Sequence, residues 1–277
     1  MTQTAALSLP PIGFGTYRLR GLDGARAVAQ AVESGYRLLD SAFNYENEAA
    51  VAEGVRQSGI GREEILFTSK LAGRHHSRPL ADEAIQESVL RTGLGHIDLM
   101  LIHWPNPRQG LFVEAWQALV DAREAGLVRH IGVSNFLPAH LEQIEEATGV
   151  AAEVNQIELH PRFPQEEQLA YHRERGIVTQ AWSPIGRPGA GPDSVLDDPV
   201  VLDVAAAHGI SATQAVLAWH AARGVVPLPK SQNAERQREN LAAAEVSLTA
   251  DEVASLTALG RADGRLKDQD PAVYEEF

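Results

Sequence analysis

Short apolar segments rich in β-branched residues recur along the chain and alternate with segments of helical periodicity. In one helical segment, for example, Val113, Trp116 and Val120 fall on a single face. Eight apolar segments predict eight β-strands, and most of them are followed by a predicted helix. The segments begin near Ile12, Arg37, Ile65, Ile97, His130, Ala152, Ile177 and Gly224.

The spacing of these segments predicts the architecture. Successive starts lie about 22 to 33 residues apart, close to the ~30 residues of a β-α-β repeat, and only the last interval is longer. The segments are continuously apolar, which favours parallel strands buried under helices. We therefore expect an α/β fold, a (β/α)8 TIM barrel formed as a single domain by residues 1–277, with extra helices and long loops at its C-terminal face. An open doubly wound sheet is the structural alternative.

The long last interval predicts an insertion. Residues 186–192 are rich in glycine and proline and predict a loop. Residues 198–207 predict an extra helix ahead of the regular one at 212–222. We expect a large loop there to cover part of the barrel mouth.

Composition narrows the possible functions. The chain has no cysteine, which excludes disulfides, thiolate metal ligands and a cysteine nucleophile. Its formal net charge of -13 opposes nucleic-acid binding. No apolar run approaches the ~18 residues of a membrane span, and no basic residue precedes Arg18. We expect a cytoplasmic monomer without nucleic-acid or membrane partners.

Common phosphate and metal motifs are missing from the sequence. The first predicted strand and its turn, from Gly13 to Arg18, lack the third glycine of a dinucleotide fingerprint, and no Walker-type loop occurs. The ten histidines include no His-x-His pair and no HExxH, so no metal site is predicted.

Polar side chains follow the predicted strands at the ends where a barrel forms its active site. Asp40, Lys70 and His103 each come directly after an apolar run, and Tyr45 lies shortly after Asp40. Singly, an aspartate is often a helix cap, a lysine a solvated charge and a tyrosine a packing residue. Because these four follow three consecutive strands, we expect them to converge at one barrel mouth. Other strand-end candidates are Ser134, Asn135, Gln156, Trp182, Ser183, Lys230 and Ser231.

The combination of these side chains suits protonation of a carbonyl oxygen. A fixed ammonium near a phenol favours the phenolate, so we expect Lys70 to lower the pKa of Tyr45 and make it a better proton donor. His103 would orient the same oxygen, while a hydride from a cofactor attacks the carbon.

Two other functions remain open from the residues alone. Lys70 suits a Schiff-base aldolase, although a neighbouring Asp40 would keep its amine protonated and poorly nucleophilic. A redox-sensing regulatory subunit would use the same barrel to bind nucleotide and signal through a partner.

Six segments of the sequence strongly resemble the aldo-keto reductase superfamily. They are GYRLLDSAFNYENE at 35–48, Lys70 after ILFTS, LIHWP at 101–105, GVSNF at 132–136, EVNQIELHP at 153–161 and VVPLPKSQNAERQREN at 225–240. The resemblance implies a (β/α)8 barrel that reduces small-molecule carbonyl substrates with NADPH and without a Rossmann unit. It also implies that Asp40, Tyr45, Lys70 and His103 form a catalytic tetrad with Tyr45 as the acid.

The same resemblance assigns further residues. Ser134, Asn135 and Gln156 would contact the nicotinamide carboxamide, and Trp182 would stack on the ring, as in the bacterial 2,5-diketo-D-gluconate reductase branch. Lys230, Ser231 and Arg236 lie around a predicted helix start, which favours phosphate, and the family pattern assigns them to the 2′-phosphate. The remaining expected cofactor contacts are Gly15, Thr16, Tyr17, Asp40, Ser183, Glu239 and Asn240, and the expected substrate contacts are Tyr45, His103 and Trp104.

One region departs from the family pattern. Another forms the substrate pocket, which is the part of the protein that family resemblance predicts least well. Only residues 1–10 precede the first predicted strand, so the hairpin that commonly plugs the barrel is expected to be shortened. Phe43, Asn44 and the tail over 261–277 would line the substrate pocket, and the apolar mouth favours small hydrophobic or sugar-derived carbonyls.

Overall fold

The computed structural model describes residues 7–187 and 194–276, and it contains the predicted barrel. Eight parallel strands hydrogen-bond in chain order. They are β1 Phe14–Gly15, β2 Leu38–Asp40, β3 Leu66–Leu71, β4 Ile97–Ile102, β5 Val128–Ser134, β6 Val154–Glu158, β7 Val178–Trp182 and β8 Val225–Pro227. Each begins within two residues of its predicted start.

Helices cover the outside of the barrel. They are α1 Gly21–Glu33, α2 Glu48–Ser58, α3 Arg78–Thr92, α4 Phe112–Glu124, α5 Pro138–Thr148, α6 Glu166–Arg175, α7 Pro199–His208, α8 Ala212–Ala222, α9 Ala234–Ala242 and α10 Ala250–Thr257. Helix α7 is the predicted extra helix, and Asp198 caps its first turn by accepting from the Val200 N–H. Most of the predicted loop at 186–192 lies outside the described residues.

The barrel closes between β8 and β1. The Gly13 N–H donates to the Pro227 carbonyl and the Gly15 N–H to the Pro229 carbonyl, each at 3.0 Å. A Cβ at Gly15 would lie 2.9 Å from the Leu228 carbonyl oxygen, so a residue without a side chain permits this close approach. We call this junction the seam.

Strand periodicity separates two layers of apolar contacts. Leu39, Met100 and Ile102 face the helices and belong to the large outer core. Leu38, Leu99 and Leu101 alternate with them and pack in small clusters inside the barrel. Leu7 and Leu9 pack against these inner clusters, so the short N-terminal segment contributes to filling the barrel.

Alternation also places the polar strand-end residues. Asp40 lies two positions after Leu38, and His103 two positions after Leu101, so both continue the inward-facing rows. The apolar interior therefore ends in a polar layer at the carboxyl ends of the strands.

Among the described helices, none alone is long and apolar enough to cross a membrane. Helices α7 and α8 would pass such a test only as a pair, and they bend by 88° at their break.

Candidate active site

A cavity of about 700 Å³ opens at the carboxyl ends of the strands. This volume falls in the usual range for small-molecule sites. The lining combines strand-end residues with parts of the C-terminal segment. It includes Gly15, Tyr17, Asp40, Asn44, Tyr45, His103, Trp104, Ser134, Asn135, Gln156, Trp182, Ser183, Lys230, Lys267, Gln269, Tyr274 and Glu276.

Lys70 lies beneath the cavity floor and is fully buried. Its ammonium group donates to both carboxylate oxygens of Asp40 and to the Ser41 carbonyl, each at 2.8 Å. The Tyr45 hydroxyl lies 3.5 Å from Lys70 Nζ. Asp40, Lys70 and Tyr45 thus meet as the sequence predicts.

The turn that carries Tyr45 is held by Asn47. Tyr45 ends a 3-10 turn after β2, and Glu46 follows it with a left-handed φ of 54°. The Asn47 amide donates to the carbonyls of Thr16 and Leu19 at 2.8 and 2.9 Å, and its oxygen accepts from the Ser41 hydroxyl. These contacts fix where the Tyr45 phenol enters the cavity.

The expected lowering of the Tyr45 pKa is wrong. Burial raises the pKa of Tyr45 well above 10, and the negative charges of Asp40 and Glu276 raise it further. Lys70 does not compensate, because its charge is neutralised by Asp40 at shorter distance than the phenol. Burial also lowers the pKa of Lys70, against the opposing effect of Asp40.

His103 faces the Tyr45 ring, with the ring centroids 5.8 Å apart. Its Nδ1 lies 2.6 Å from a carboxylate oxygen of Glu276, a contact between β4 and the C-terminal segment. Burial opposes ionisation of Glu276, but His103, the Gly73 N–H and the Asn44 amide lower its pKa to about 2. His103, the fourth predicted catalytic residue, therefore lies beside Tyr45 and is in contact with the carboxylate of Glu276.

Amide and hydroxyl groups form one wall of the cavity. The Asn135 amide donates to the His103 carbonyl and to the Ser134 hydroxyl, each at 3.0 Å. The Gln156 amide donates to Asp40 at 2.8 Å and to Gln180 at 2.9 Å. The side-chain oxygen of Gln156 has no hydrogen-bond partner within residues 7–187 and 194–276, so an acceptor is available beside the cavity.

Trp182 adds an aromatic surface to the cavity lining. Its indole N–H donates to the Asn135 side-chain oxygen at 2.7 Å, which fixes the ring plane. Trp104 lies edge-on to Trp182, with the ring centroids 6.4 Å apart, and also packs on Tyr274. The cavity therefore has flat aromatic surfaces suited to a planar ring and an apolar substrate.

A basic region begins where β8 ends. Lys230 lines the cavity and is exposed, as is Arg236 on the first turn of α9. Neither cation has an ion-pair partner in the described part of the chain. Asn233 caps α9 by accepting from the Arg236 N–H, and the Asn233 N–H donates to the Ser231 hydroxyl.

The remaining predicted cofactor residues divide into two groups. Gly15, Tyr17 and Ser183 line the cavity. Outside its lining, the buried Thr16 donates its hydroxyl to the Asp40 carbonyl. Ser231, Arg236, Glu239 and Asn240 also lie outside the lining, on the segment and helix that follow Lys230.

Comparison with known proteins is consistent with this geometry. Residues 11–261 match the model of the aldo/keto reductase family. The chain belongs to the aldo-keto reductase family. It is 48% identical to 2,5-diketo-D-gluconic acid reductase B of Corynebacterium sp. (strain SHS752001), over 96% of this chain and 94% of that protein.

Solved structures of other aldo-keto reductases share the fold. A mutant of Gox0644 in complex with NADPH matches with a TM-score of 0.90 and 37% identity, covering 96% of this chain and 95% of that one. A Bombyx mori aldo-keto reductase in complex with NADP matches with a TM-score of 0.88 and 32% identity, covering 98% and 95%. The family and the (β/α)8 barrel predicted from the sequence are confirmed, and the protein is an oxidoreductase of this family.

The sequence did not single out every residue at the site. This aldo-keto reductase brings Glu276, Lys267, Gln269 and Tyr274 to the cavity from its C-terminal segment. The tail over 261–277 was expected there as a whole, but it carries no periodic pattern that distinguishes one residue. Across the described parts of the chain, no group of three or more His, Asp or Glu side chains could hold a metal ion.

Proposed function

We propose that this aldo-keto reductase reduces aldehydes or ketones to alcohols with NADPH, and that Tyr45 donates the proton to the carbonyl oxygen. The observation that carries the proposal is the position of the Tyr45 hydroxyl. It faces the cavity beside His103 and lies 3.5 Å from the buried ammonium group of Lys70.

The residues present fit NADPH. The free side-chain oxygen of Gln156 matches an amide donor such as a carboxamide NH2, and the Trp182 indole offers a flat face for a planar ring. Lys230 and Arg236, together with the capped start of α9, suit a phosphate group. Two related structures carry NADPH or NADP, which supports the same cofactor here.

Bound NADPH supplies the hydride for the carbonyl carbon. The raised pKa of Tyr45 keeps its phenol protonated, so the group is present as an acid throughout the neutral range. When the proton leaves, the Lys70 ammonium group, with Nζ 3.5 Å from the oxygen, can donate a hydrogen bond to the phenolate while it remains paired with Asp40. Asp40 holds the ammonium group in place through two hydrogen bonds.

The substrate is a small hydrophobic or sugar-derived carbonyl compound. Trp104 and Tyr274 provide apolar walls, while Lys267 and Gln269 provide polar groups in the same lining. The name of the Corynebacterium relative supports the sugar-derived class.

Replacement of Tyr45 by phenylalanine tests the proposal. Tyr45→Phe removes the acidic hydroxyl and keeps the ring, so turnover of a good aldehyde should fall at least ~10²-fold while NADPH affinity stays within about threefold. Turnover is followed by loss of NADPH absorbance, and affinity by fluorescence titration.

Tyr171→Phe is the matched control, because Tyr171 lies on α6 outside the cavity lining and its hydroxyl donates to Glu142. It should retain wild-type turnover. Wild-type turnover in Tyr45→Phe would show that Tyr45 is not the acid. NADPH binding by the wild-type protein without reduction of any aldehyde or ketone would favour a regulatory nucleotide-binding role.

A further inference from the structure

Glu48 is a buried acid close to the active site that the reaction proposed above does not use. It is the first residue of α2, lies three residues after Tyr45 and is 1% exposed. One carboxylate oxygen accepts from the Ser69 hydroxyl at 2.5 Å. The other accepts no hydrogen bond in the described part of the chain and lies 3.6 Å from Arg91 Nη1.

The burial of this acid is costly. Burial disfavours the charged carboxylate and raises the pKa of Glu48, while Ser69 and Arg91 oppose the shift. An apolar side chain of similar volume is often accommodated at such a position with no loss of stability. Stability alone therefore gives little reason for a carboxylate at the start of α2.

The hydrogen-bond donor to Glu48 stands next to Lys70 on β3. Successive residues of a strand point to opposite faces. Leu71, which with Ser69 flanks Lys70, belongs to the outer core and shows which face of β3 meets the helices. Lys70 points into the barrel and donates to the Ser41 carbonyl at 2.8 Å. Two neighbouring residues of one strand therefore make contacts on its two faces.

These two contacts hold both ends of the segment that carries the phenol. We call residues 41–48 the Tyr45 segment. Lys70 binds the first residue of the segment from inside the barrel, and Ser69 binds its last residue, Glu48, on the helix side. Because Ser69 and Lys70 are consecutive, both ends of the Tyr45 segment are fixed to the same short stretch of β3.

Arg91 adds a contact from Glu48 to the turn inside this segment. Its guanidinium lies over the Phe43 ring, with Cζ 4.1 Å from the ring centroid, and Phe43 begins the 3-10 turn that Tyr45 ends. The same guanidinium pairs with Glu87 at 3.0 Å, closer than its 3.6 Å approach to Glu48. Arg91 therefore supports the arrangement, while the hydrogen bond from Ser69 is the short contact.

The distance that depends on this anchoring is the one between Tyr45 and Lys70. The phenol oxygen lies 3.5 Å from Nζ, which is longer than most hydrogen bonds. A further displacement of about 1 Å would end the contact, and a misplacement on that scale can cost ~10²-fold in rate. A proton donor at this distance is sensitive to how its segment is held.

We propose that Glu48 is a positioning residue: by accepting from Ser69 it fixes the end of the Tyr45 segment and sets the distance between the Tyr45 hydroxyl and the Lys70 ammonium group. This inference rests on the proposed function. Glu48 touches neither substrate nor cofactor in this role, because it acts from the helix side of β3.

The first test measures reduction in a single turnover of the NADPH-bound protein with saturating aldehyde. Glu48→Ala should lower the rate at least about tenfold, while NADPH affinity and the KM for aldehyde stay within about threefold. Ser69→Ala deletes one oxygen atom and should show the same loss, even if Glu48→Ala does not fold. Glu53→Ala is the matched control, because Glu53 lies on the same helix with its side chain 42% exposed and pairs with Arg56. It should keep the wild-type rate.

The conservative variant separates positioning from a general structural role. Glu48→Gln keeps an oxygen that can accept from Ser69, so its single-turnover rate should lie within about threefold of the wild type. The double variant Ser69→Ala with Glu48→Ala should be within about twofold of the slower single variant, since both remove one interaction. Equal losses in Glu48→Gln and Glu48→Ala, or fully multiplicative losses in the double variant, would overturn the inference.

The second test observes the distance itself. Crystal structures of the wild type, Ser69→Ala and Glu48→Ala give the separation of the Tyr45 oxygen from Lys70 Nζ. We expect it to increase by roughly 1 Å in both variants, beyond hydrogen-bonding reach. An unchanged separation in the variants would overturn the inference, and so would a wild-type rate in Ser69→Ala.

The outcomes distinguish this inference from the function on which it rests. If the wild type reduces no aldehyde or ketone, the proposed function fails, and the crystal structures still decide whether Glu48 positions Tyr45. If the wild type is active and Tyr45→Phe is inactive while Ser69→Ala keeps the wild-type rate, the proposed function stands and the role of Glu48 is refuted.

Discussion

At the level of single residues, the ammonium group of Lys70 forms its ion pair with Asp40 and lies farther from Tyr45. Both oxygens of Asp40 lie 2.8 Å from Nζ, while the phenol lies at 3.5 Å. The sequence predicts that these residues meet, because each ends a strand of one barrel. It does not predict the pKa of the phenol, which depends on burial and on Glu276, a residue distant in the chain.

Arg236 offers a prediction at the same scale. If its exposed guanidinium binds the 2′-phosphate of NADPH, Arg236→Ala should shrink the affinity gap between NADPH and NADH by about one to two decades, because hydrogen bonds between charged groups contribute about 1.5–3 kcal/mol. Fluorescence titration with both nucleotides measures the gap. Arg238→Ala removes another exposed cation of α9 and should leave the gap unchanged. An unchanged gap in Arg236→Ala would place the phosphate elsewhere.

At the level of elements, strand positions follow from the apolar runs, while helix packing depends on details that periodicity does not reveal. Helices α1 and α2 approach each other closely at Gly54. A Cβ there would lie 2.6 Å from both the Ala25 carbonyl oxygen and the Val28 Cβ. A helical pattern indicates that both helices exist, but not that one position must lack a side chain.

Gly54→Ala should therefore destabilise the protein although alanine is the better helix former. The gain in helix propensity is about 1 kcal/mol, whereas forcing atoms into a packed helix interface costs about 1–3 kcal/mol. Urea unfolding should show a lower midpoint than in the wild type. Gln57→Ala, at an exposed position of α2, should change stability by less than about 0.5 kcal/mol. Greater stability in Gly54→Ala would show that the helices separate at little cost.

At the level of the whole molecule, repeated β-α units predict the barrel, because each strand must pair with a neighbouring strand on both sides. The return of the C-terminal segment to the cavity is not predictable in the same way. Glu276 reaches Asn106, Gly73 and His103 through contacts between residues far apart in the chain, and no local pattern encodes them.

Both backbone hydrogen bonds that we identify at the seam are donated from the β1 side. Pro227 and Pro229 accept from Gly13 and Gly15, but a proline has no N–H to donate in return. By contrast, β4 and β5 pair at five positions.

Native-state hydrogen exchange should therefore be faster at Gly13 and Gly15 than at Met100 and Leu101. Mass spectrometry of peptides covering residues 11–18 and 97–103 measures the difference. Equal protection of the two peptides would mean that side-chain packing, rather than backbone pairing, sets the stability of the seam.

The distribution of the four tryptophans gives the protein its own optical reporter. Trp104 and Trp182 border the cavity, whereas Trp116 and Trp219 are fully buried away from it. A ligand that settles against the first two indoles quenches their emission and leaves the other two as an internal reference. Occupancy of the site is therefore measurable on the unlabelled chain, without any attached dye.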